Sequence, residues 1–140
     1  MLNNREFRMF EIAKQVSYMS NFHGPHMGAV VAIGKTVIST GFNSNKTHPV
    51  QHQYNIYRGF EDHATSIPLE HAEIHALGHL IGKKEIDWDK ASIFVYREWK
   101  NGRKACSRPC AACMRLIRDL GIRQIYFINE IGEYCKEKVL

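Results

Sequence analysis

The chain of 140 residues has no run of about 18 apolar residues, so no membrane-spanning helix is expected. Its first residues, Met1-Leu2-Asn3-Asn4-Arg5-Glu6, carry no apolar core behind basic residues. No secretory signal is therefore expected, and a cytoplasmic location follows by default. Cysteine is sparse, with only Cys106, Cys110, Cys113 and Cys135. Four cysteines in a chain of this length without a leader point to metal binding or catalysis rather than to a disulfide framework. Low-complexity runs, internal repeats and linkers are also lacking. With 44% apolar residues, the sequence reads as one soluble globular domain over 1–140. The charge excess is mild, at +5. It fits a phosphate-bearing partner, from a nucleotide to a nucleic acid, but equally fits an ordinary lysine-rich surface.

Residues 4–20 read as a helix, with Met9, Ile12, Ala13 and Val16 on one face and Asn3 or Asn4 as cap. The apolar runs 27–33 and 36–40 flank Gly34-Lys35, which suits a type II′ hairpin turn. Residues 43–67 are the least regular part and read as a polar, aromatic loop placed to cover a ligand. A helix is expected over 68–81, with Ile74, Leu77 and Ile81 as its apolar stripe and Gly82 as its cap. Residues 91–99 form a strand, and Asn101-Gly102 turns 103–107 back beside 97–99. A helix over 110–120 opens behind Pro109 and stops at Gly121; 123–129 is the last clear strand, and the tail 130–140 reads as a weak short helix. The strand-helix-strand unit over 91–129 pairs its strands in parallel, so helices should cover both faces of a mixed sheet.

Two motifs carry the chemistry: His71-Ala72-Glu73 and Pro109-Cys110-Ala111-Ala112-Cys113. Both fall at helix starts. On a helix flank His71 and Glu73 point about 200° apart, so they share a site only just beyond the helix N-terminus. Cys110 and Cys113, three apart, share a face of their first turn. One imidazole and two thiolates hold a zinc ion on three sides and leave the fourth to water, the layout of a catalytic rather than a structural zinc. Glu73 is placed to move protons to and from that water. The set suits hydrolytic deamination of an amidine-like ring carbon, and H-x-E with P-C-x-x-C marks the zinc nucleobase deaminases. The competing reading is a closed structural zinc with Cys106, His75 or His79 as fourth ligand. His75 and His79 otherwise read as a polar helix face, Cys106 and Cys135 as ordinary core or strand residues. His48, His52 and His63 are candidates for a second metal.

In its motifs and their order the chain resembles the cytidine and deoxycytidylate deaminase superfamily. The resemblance rests on Met27-Gly28-Ala29-Val30-Val31, Thr40-Gly41-Phe42-Asn43, His71-Ala72-Glu73-Ile74, Ser107-Arg108-Pro109-Cys110-Ala111-Ala112-Cys113 and Gly121-Ile122-Arg123-Gln124-Ile125-Tyr126-Phe127. It implies a three-layer α/β/α fold, a mixed sheet with an N-terminal hairpin and a parallel C-terminal strand pair. It also implies zinc as cofactor on His71, Cys110 and Cys113, Glu73 as proton shuttle, Asn43 and the backbone of Ala72 as substrate contacts, and self-association into a homo-oligomer. The sequence departs from the family pattern in four places, one being the loop that carries Lys46-Thr47-His48-Pro49, which is not the common deoxycytidylate deaminase loop. Its metal motifs are set further apart by the 97–104 hairpin, Cys106 stands where a threonine is usual, and Arg108 stands directly before the proline.

The expected activity is hydrolytic deamination of a cytosine-type nucleotide, with deoxycytidylate as the leading substrate and Lys46 and His48, joined by Arg58 or Arg108, at its phosphate. The alternatives are a deaminase acting on a base in RNA or single-stranded DNA, with Tyr54, Tyr57 and Phe60 as stacking rings, and a non-catalytic zinc-binding module.

Overall fold

The computed structural model describes residues 2–58, 69–83 and 85–139. Readings that fall on 59–68, including those of Phe60, His63 and Pro68, lie outside the described residues.

Helix α1 (Asn4–Ser17) opens with a capping box: the Asn3 side chain accepts from the Glu6 N–H at 2.8 Å, and Glu6 accepts from the Asn3 N–H at 3.0 Å. It stops at Ser17 rather than at 20. Strands β1 (His26–Ile33) and β2 (Thr36–Phe42) form the expected hairpin. Gly34 has φ +62°, and Lys35, like every described non-glycine residue, keeps a negative φ, as a type II′ turn requires. A register shift at Val31/Ala32 leaves Ile38 unpaired as a bulge.

Over its described part, residues 43–58, the 43–67 segment is more regular than its composition suggests. It contains α2 (Pro49–Tyr54), capped by the His48 imidazole on the Val50 N–H, and a 3-10 turn at Asn55–Arg58. Proline at the first helical position and a histidine cap are local signals that the polar composition hid. Helix α3 (Ala72–Gly78) is shorter than the expected 68–81. His71 keeps an extended backbone at φ −81°, ψ 156°, because its N–H goes to the Gln51 side chain rather than into a helix. Ile74 and Leu77 are buried as the stripe requires, but after Gly78 the chain turns, so Leu80 is buried in place of Ile81, which stands 41% exposed.

Strand β3 (Ala91–Glu98), α4 (Ala111–Leu120) and β4 (Gln124–Ile128) match expectation, with Gly121 in the left-handed region at φ 97°. The Asn101-Gly102 turn folds 103–105 onto β3, with Trp99 N–H donating to Arg103 O at 2.8 Å and Ala105 N–H to Arg97 O at 2.9 Å. The tail is a strand, not a helix: β5 (Tyr134–Lys138) pairs antiparallel with β4. Asn129 makes the turn, its Oδ1 accepting from the Ile131 and Glu133 N–H groups, with Gly132 at φ +85°. Without β5, β4 would be an edge with an open row of backbone groups.

The sheet order is β2-β1-β3-β4-β5, antiparallel except for the parallel pair β3/β4. Side chains alternate through it with a period of two. Ala29, Val31, Ile93, Val95, Ile125 and Phe127 pack with α3 and α4; Val30, Ala32, Phe94, Tyr96, Tyr126 and Ile128 pack with α1. The result is the expected three-layer α/β/α fold, with both helix starts that carry the motifs on the same face.

Candidate active site and metal centre

Helix α3 sits unusually close to β2. A Cβ on Gly41 would lie 2.3 Å from the backbone nitrogen of Ala76. The contact is pinned by Ser39 Oγ donating to Ala76 O at 2.7 Å and by the Phe42 N–H donating to His75 Nδ1 at 3.0 Å. Just before α3, segments 44–47 and 69–70 pair: Ser44 N–H donates to Glu70 O at 3.1 Å, and Glu70 N–H to Lys46 O at 2.8 Å. His71 follows directly, and its N–H donates to the Oε1 of fully buried Gln51 at 3.1 Å. Gln51 is a positioning residue that sequence reasoning missed. It lies twenty positions upstream, and no periodicity links it to the motif.

On the other side, the residue before α4 is Cys110. Ser107 holds this approach in place: its Oγ donates to Val95 O and accepts from the Ile128 N–H, both at 2.7 Å. The two helix starts thus meet. His71 Nδ1 is 3.5 Å from Cys110 Sγ and 3.4 Å from Cys113 Sγ. Zinc bonds of about 2.3 Å to sulfur and about 2.0 Å to nitrogen at tetrahedral angles separate such donors by about 3.5 Å, so the set fits the ion as it stands. Hydrogen bonding from Cys113, aided by His71, outweighs burial and holds the Cys110 thiol down at about 3, so it is a thiolate, the metal-binding form. Among the described residues this is the one group of three His, Cys, Asp or Glu side chains close enough to share an ion, and no fourth such residue joins it. Among the described residues the closed structural site is not built, and none of His75, His79 and Cys106 completes it. Among the described residues His48 and His52 belong to no such group either, and His63 lies outside them.

Glu73, the second residue of α3, is 1% exposed beside these donors. Burial pushes its carboxyl up to about 7; the Cys110 charge adds to this and His71 opposes it. One oxygen, Oε1, is buried without a hydrogen-bond partner. A buried unmatched acceptor in a cavity wall is costly, and a water or substrate proton is the natural match.

A cavity of about 380 Å³ opens in front of His71, Glu73 and Cys110. Asn43, Arg97, Cys106 and Arg108 also line it. Asn43 is buried and fixed: Oδ1 accepts from the Met27 N–H and Nδ2 donates to Pro25 O, both at 2.9 Å. Ala72 is fully buried as the first residue of α3. Lys46 and His48 are not brought to this cavity. They line a neighbouring one of about 560 Å³, together with His75 and His79. Glu70 faces both cavities. Tyr54, expected as a stacking ring, donates its hydroxyl to Asp119 at 2.8 Å, and Tyr57 lies under Arg115.

An α/β/α domain that groups a histidine and two cysteines beside a cavity fits the class of zinc-binding domains. Sequence comparison narrows that class: residues 3–129 match the model of the cytidine and deoxycytidylate deaminase zinc-binding region, and the chain belongs to this family. No curated protein matches the chain. Among solved structures, a cytidine deaminase from Burkholderia pseudomallei is similar at 17% identity and TM-score 0.64, over 99% of this chain and 94% of that one. The dCMP deaminase of cyanophage S-TIM5 is similar in its apo form, at 21% identity and TM-score 0.61, over 93% of this chain and 86% of that one. The same enzyme in complex with dCMP and dUMP gives 23% identity and TM-score 0.62, over 93% and 85%. At these identities the likeness establishes the shared fold. No described helix is long and apolar enough to cross a membrane.

Proposed function

We propose that the chain catalyses hydrolytic deamination of a cytosine-type nucleotide, with deoxycytidylate as the first substrate to test. The observation that carries this reading is the unpartnered Glu73 Oε1, buried beside three donors that fit zinc and facing a polar cavity. Zinc, when bound, supplies Lewis acidity that brings the pKa of water down towards about 7. The chain's own residues then handle the protons. Glu73 takes a proton from water as it adds to the amine-bearing ring carbon. It delivers that proton to the ring nitrogen and then moves the remaining proton of the added hydroxyl to the amine; the carbon–nitrogen bond breaks as the carbonyl forms, and ammonia leaves. Its raised pKa suits this exchange near neutral pH. Asn43, with its amide fixed in one orientation, and the backbone of Ala72, a first-turn N–H, hold the substrate.

The test is a panel of cytosine and adenine nucleotides and short oligonucleotides, read by ammonia release and product mass. Protein with one zinc per chain that deaminates none of them refutes the reading. Glu73→Gln should keep its zinc and lose activity by 10²- to 10⁴-fold, the usual worth of a general acid–base group; near-parental turnover would remove Glu73 from the mechanism.

The second reading, a base within a single strand, draws on Trp99. Its ring is 49% exposed, and it lines a shallow cavity of about 440 Å³ with His23, Lys100 and Arg103. Exposed aromatic and basic side chains together suit a stacked, charged strand. Salt-sensitive oligonucleotide binding would favour it. Self-association, expected of the family, is to be measured by sedimentation.

A further inference from the structure

Two guanidinium groups line the cavity in front of the metal donors, and they are held differently. Arg108 is engaged: its Nε and Nη2 donate to the two Glu137 carboxylate oxygens at 3.3 and 2.8 Å. That pairing raises the Arg108 pKa and cancels its charge locally. Arg97, at the end of β3, has no carboxylate partner among the described residues. Its Nη1 donates to Cys106 O at 3.2 Å, and its guanidinium lies 5.8 Å from the centre of the Trp99 ring. Its Nε is buried and has no hydrogen-bond partner. The neighbouring Glu98 does not help, because its Oε1 accepts from the hydroxyls of Tyr96 and Tyr18. Glu70, the other carboxylate besides Glu73 on the cavity wall, accepts from Ser44 Oγ and faces His48.

A permanent cation with an unmatched donor, lining a cavity whose volume suits a small ligand, calls for an anionic acceptor that the described residues do not supply. Lys46 and His48 face the other cavity and cannot fill this role from where they stand. Arg97 owes its place to the Asn101-Gly102 hairpin, which folds Ala105 back onto it. We infer that Arg97 receives the substrate's phosphate, and so makes the enzyme prefer phosphate-bearing cytosine compounds to the bare nucleoside. This rests on the cytosine-nucleotide reading above. The phosphate is either the monoester of a free nucleotide or the diester beside a base in a strand.

The experiment compares kcat/KM for deoxycytidine, dCMP and a short oligodeoxynucleotide with a single cytosine, in the parent and in Arg97→Met. The phosphate-bearing substrate is expected to lose ten- to a hundredfold relative to deoxycytidine, about the worth of one charge-assisted hydrogen bond. Arg97→Lys should recover part of that loss. A larger fall for dCMP identifies the monoester, a larger fall for the oligonucleotide the diester. An unchanged ratio, or equal falls for all three, overturns the inference. Calorimetric binding of dUMP against deoxyuridine, in the same variants, gives a second readout that needs no turnover. If nothing is deaminated, the function reading fails, while this arm still decides on Arg97: a dUMP preference lost in the variant supports it, and no preference in the parent overturns it. Should Arg97→Met not fold, Arg97→Gln takes its place.

Discussion

Gly41→Ala should separate the metal donors without touching any of them. The added Cβ would sit 2.3 Å from Ala76 N, 2.6 Å from Ala72 O and 2.9 Å from Ala76 Cα. All three are backbone atoms, so no rotamer relieves the clash. Ordinary contact begins at 3.4 Å, so α3 must withdraw from β2 by about 1 Å, and overpacking of this kind costs about 1–3 kcal/mol. The same shift stretches Ser39 Oγ to Ala76 O from 2.7 Å and Phe42 N to His75 Nδ1 from 3.0 Å, past useful hydrogen-bond length. Two bonds at about 1 kcal/mol each bring the total to about 3–5 kcal/mol. Because α3 begins directly after His71, the imidazole moves with it, and donors now 3.4 and 3.5 Å apart lose their fit to one ion. The assays are urea unfolding and zinc affinity by chelator competition. Gly34→Ala is the control: its Cβ meets nothing within 4 Å, so it should cost only the strain of a positive φ, about 1 kcal/mol, and leave zinc binding as it is. A Gly41→Ala protein within about 0.5 kcal/mol of the parent, with parental zinc affinity, would refute the reasoning.

Ser107→Ala should lower stability by about 1–3 kcal/mol in denaturant unfolding, since it strands the buried Ile128 N–H. Gln51→Ala removes the acceptor of the His71 N–H and should weaken zinc binding about tenfold, measured by competition, with a smaller effect on kcat in zinc-saturated protein. Glu6 gives a pH test. Burial alone would raise its pKa, but the Tyr126 hydroxyl at 2.6 Å, the Asn3 N–H and Lys136 outweigh burial and lower it. A carboxyl depressed in the folded state stabilises above its unfolded pKa and loses that contribution as pH falls through the folded one. Glu6→Gln should therefore cost about 1–2 kcal/mol at pH 7, and the gap to the parent should close in acid. A gap that widens on acidification would contradict this.

The parts of the fold that were legible in the sequence are those where local chemistry and packing agree. The Gly34-Lys35 turn, the Asn3 cap and the Gly121 stop each need one backbone conformation that few residues provide. The two metal motifs were legible because His71, Cys110 and Cys113 are reactive types at fixed offsets, and placing both at helix starts was enough to bring them together. What was not legible depends on partners distant in sequence. Residues 134–138 have little strand character of their own and become β5 because β4 needs a neighbour. Helix α3 starts late because Gln51 takes the His71 N–H. Lys46 and His48 looked suited to a phosphate by type, but the pairing of 44–47 with 69–70 turns them towards the other cavity. Arg97, in sequence only part of a hairpin, lines the cavity through that hairpin's fold.

The spacing of the donors along the chain carries a further consequence. His71 lies 39 positions from Cys110 and 42 from Cys113. An ion gripped by all three ties the hairpin-and-α3 half of the molecule to the β3-α4-β4 half, much as a disulfide would. By the statistics of loop closure, such a tether withholds roughly 4 kcal/mol of freedom from the unfolded chain. With an ion held, this corner would also be a clasp between the two halves of the chain, and losing it would loosen the meeting of the α3 and α4 starts before the central strands.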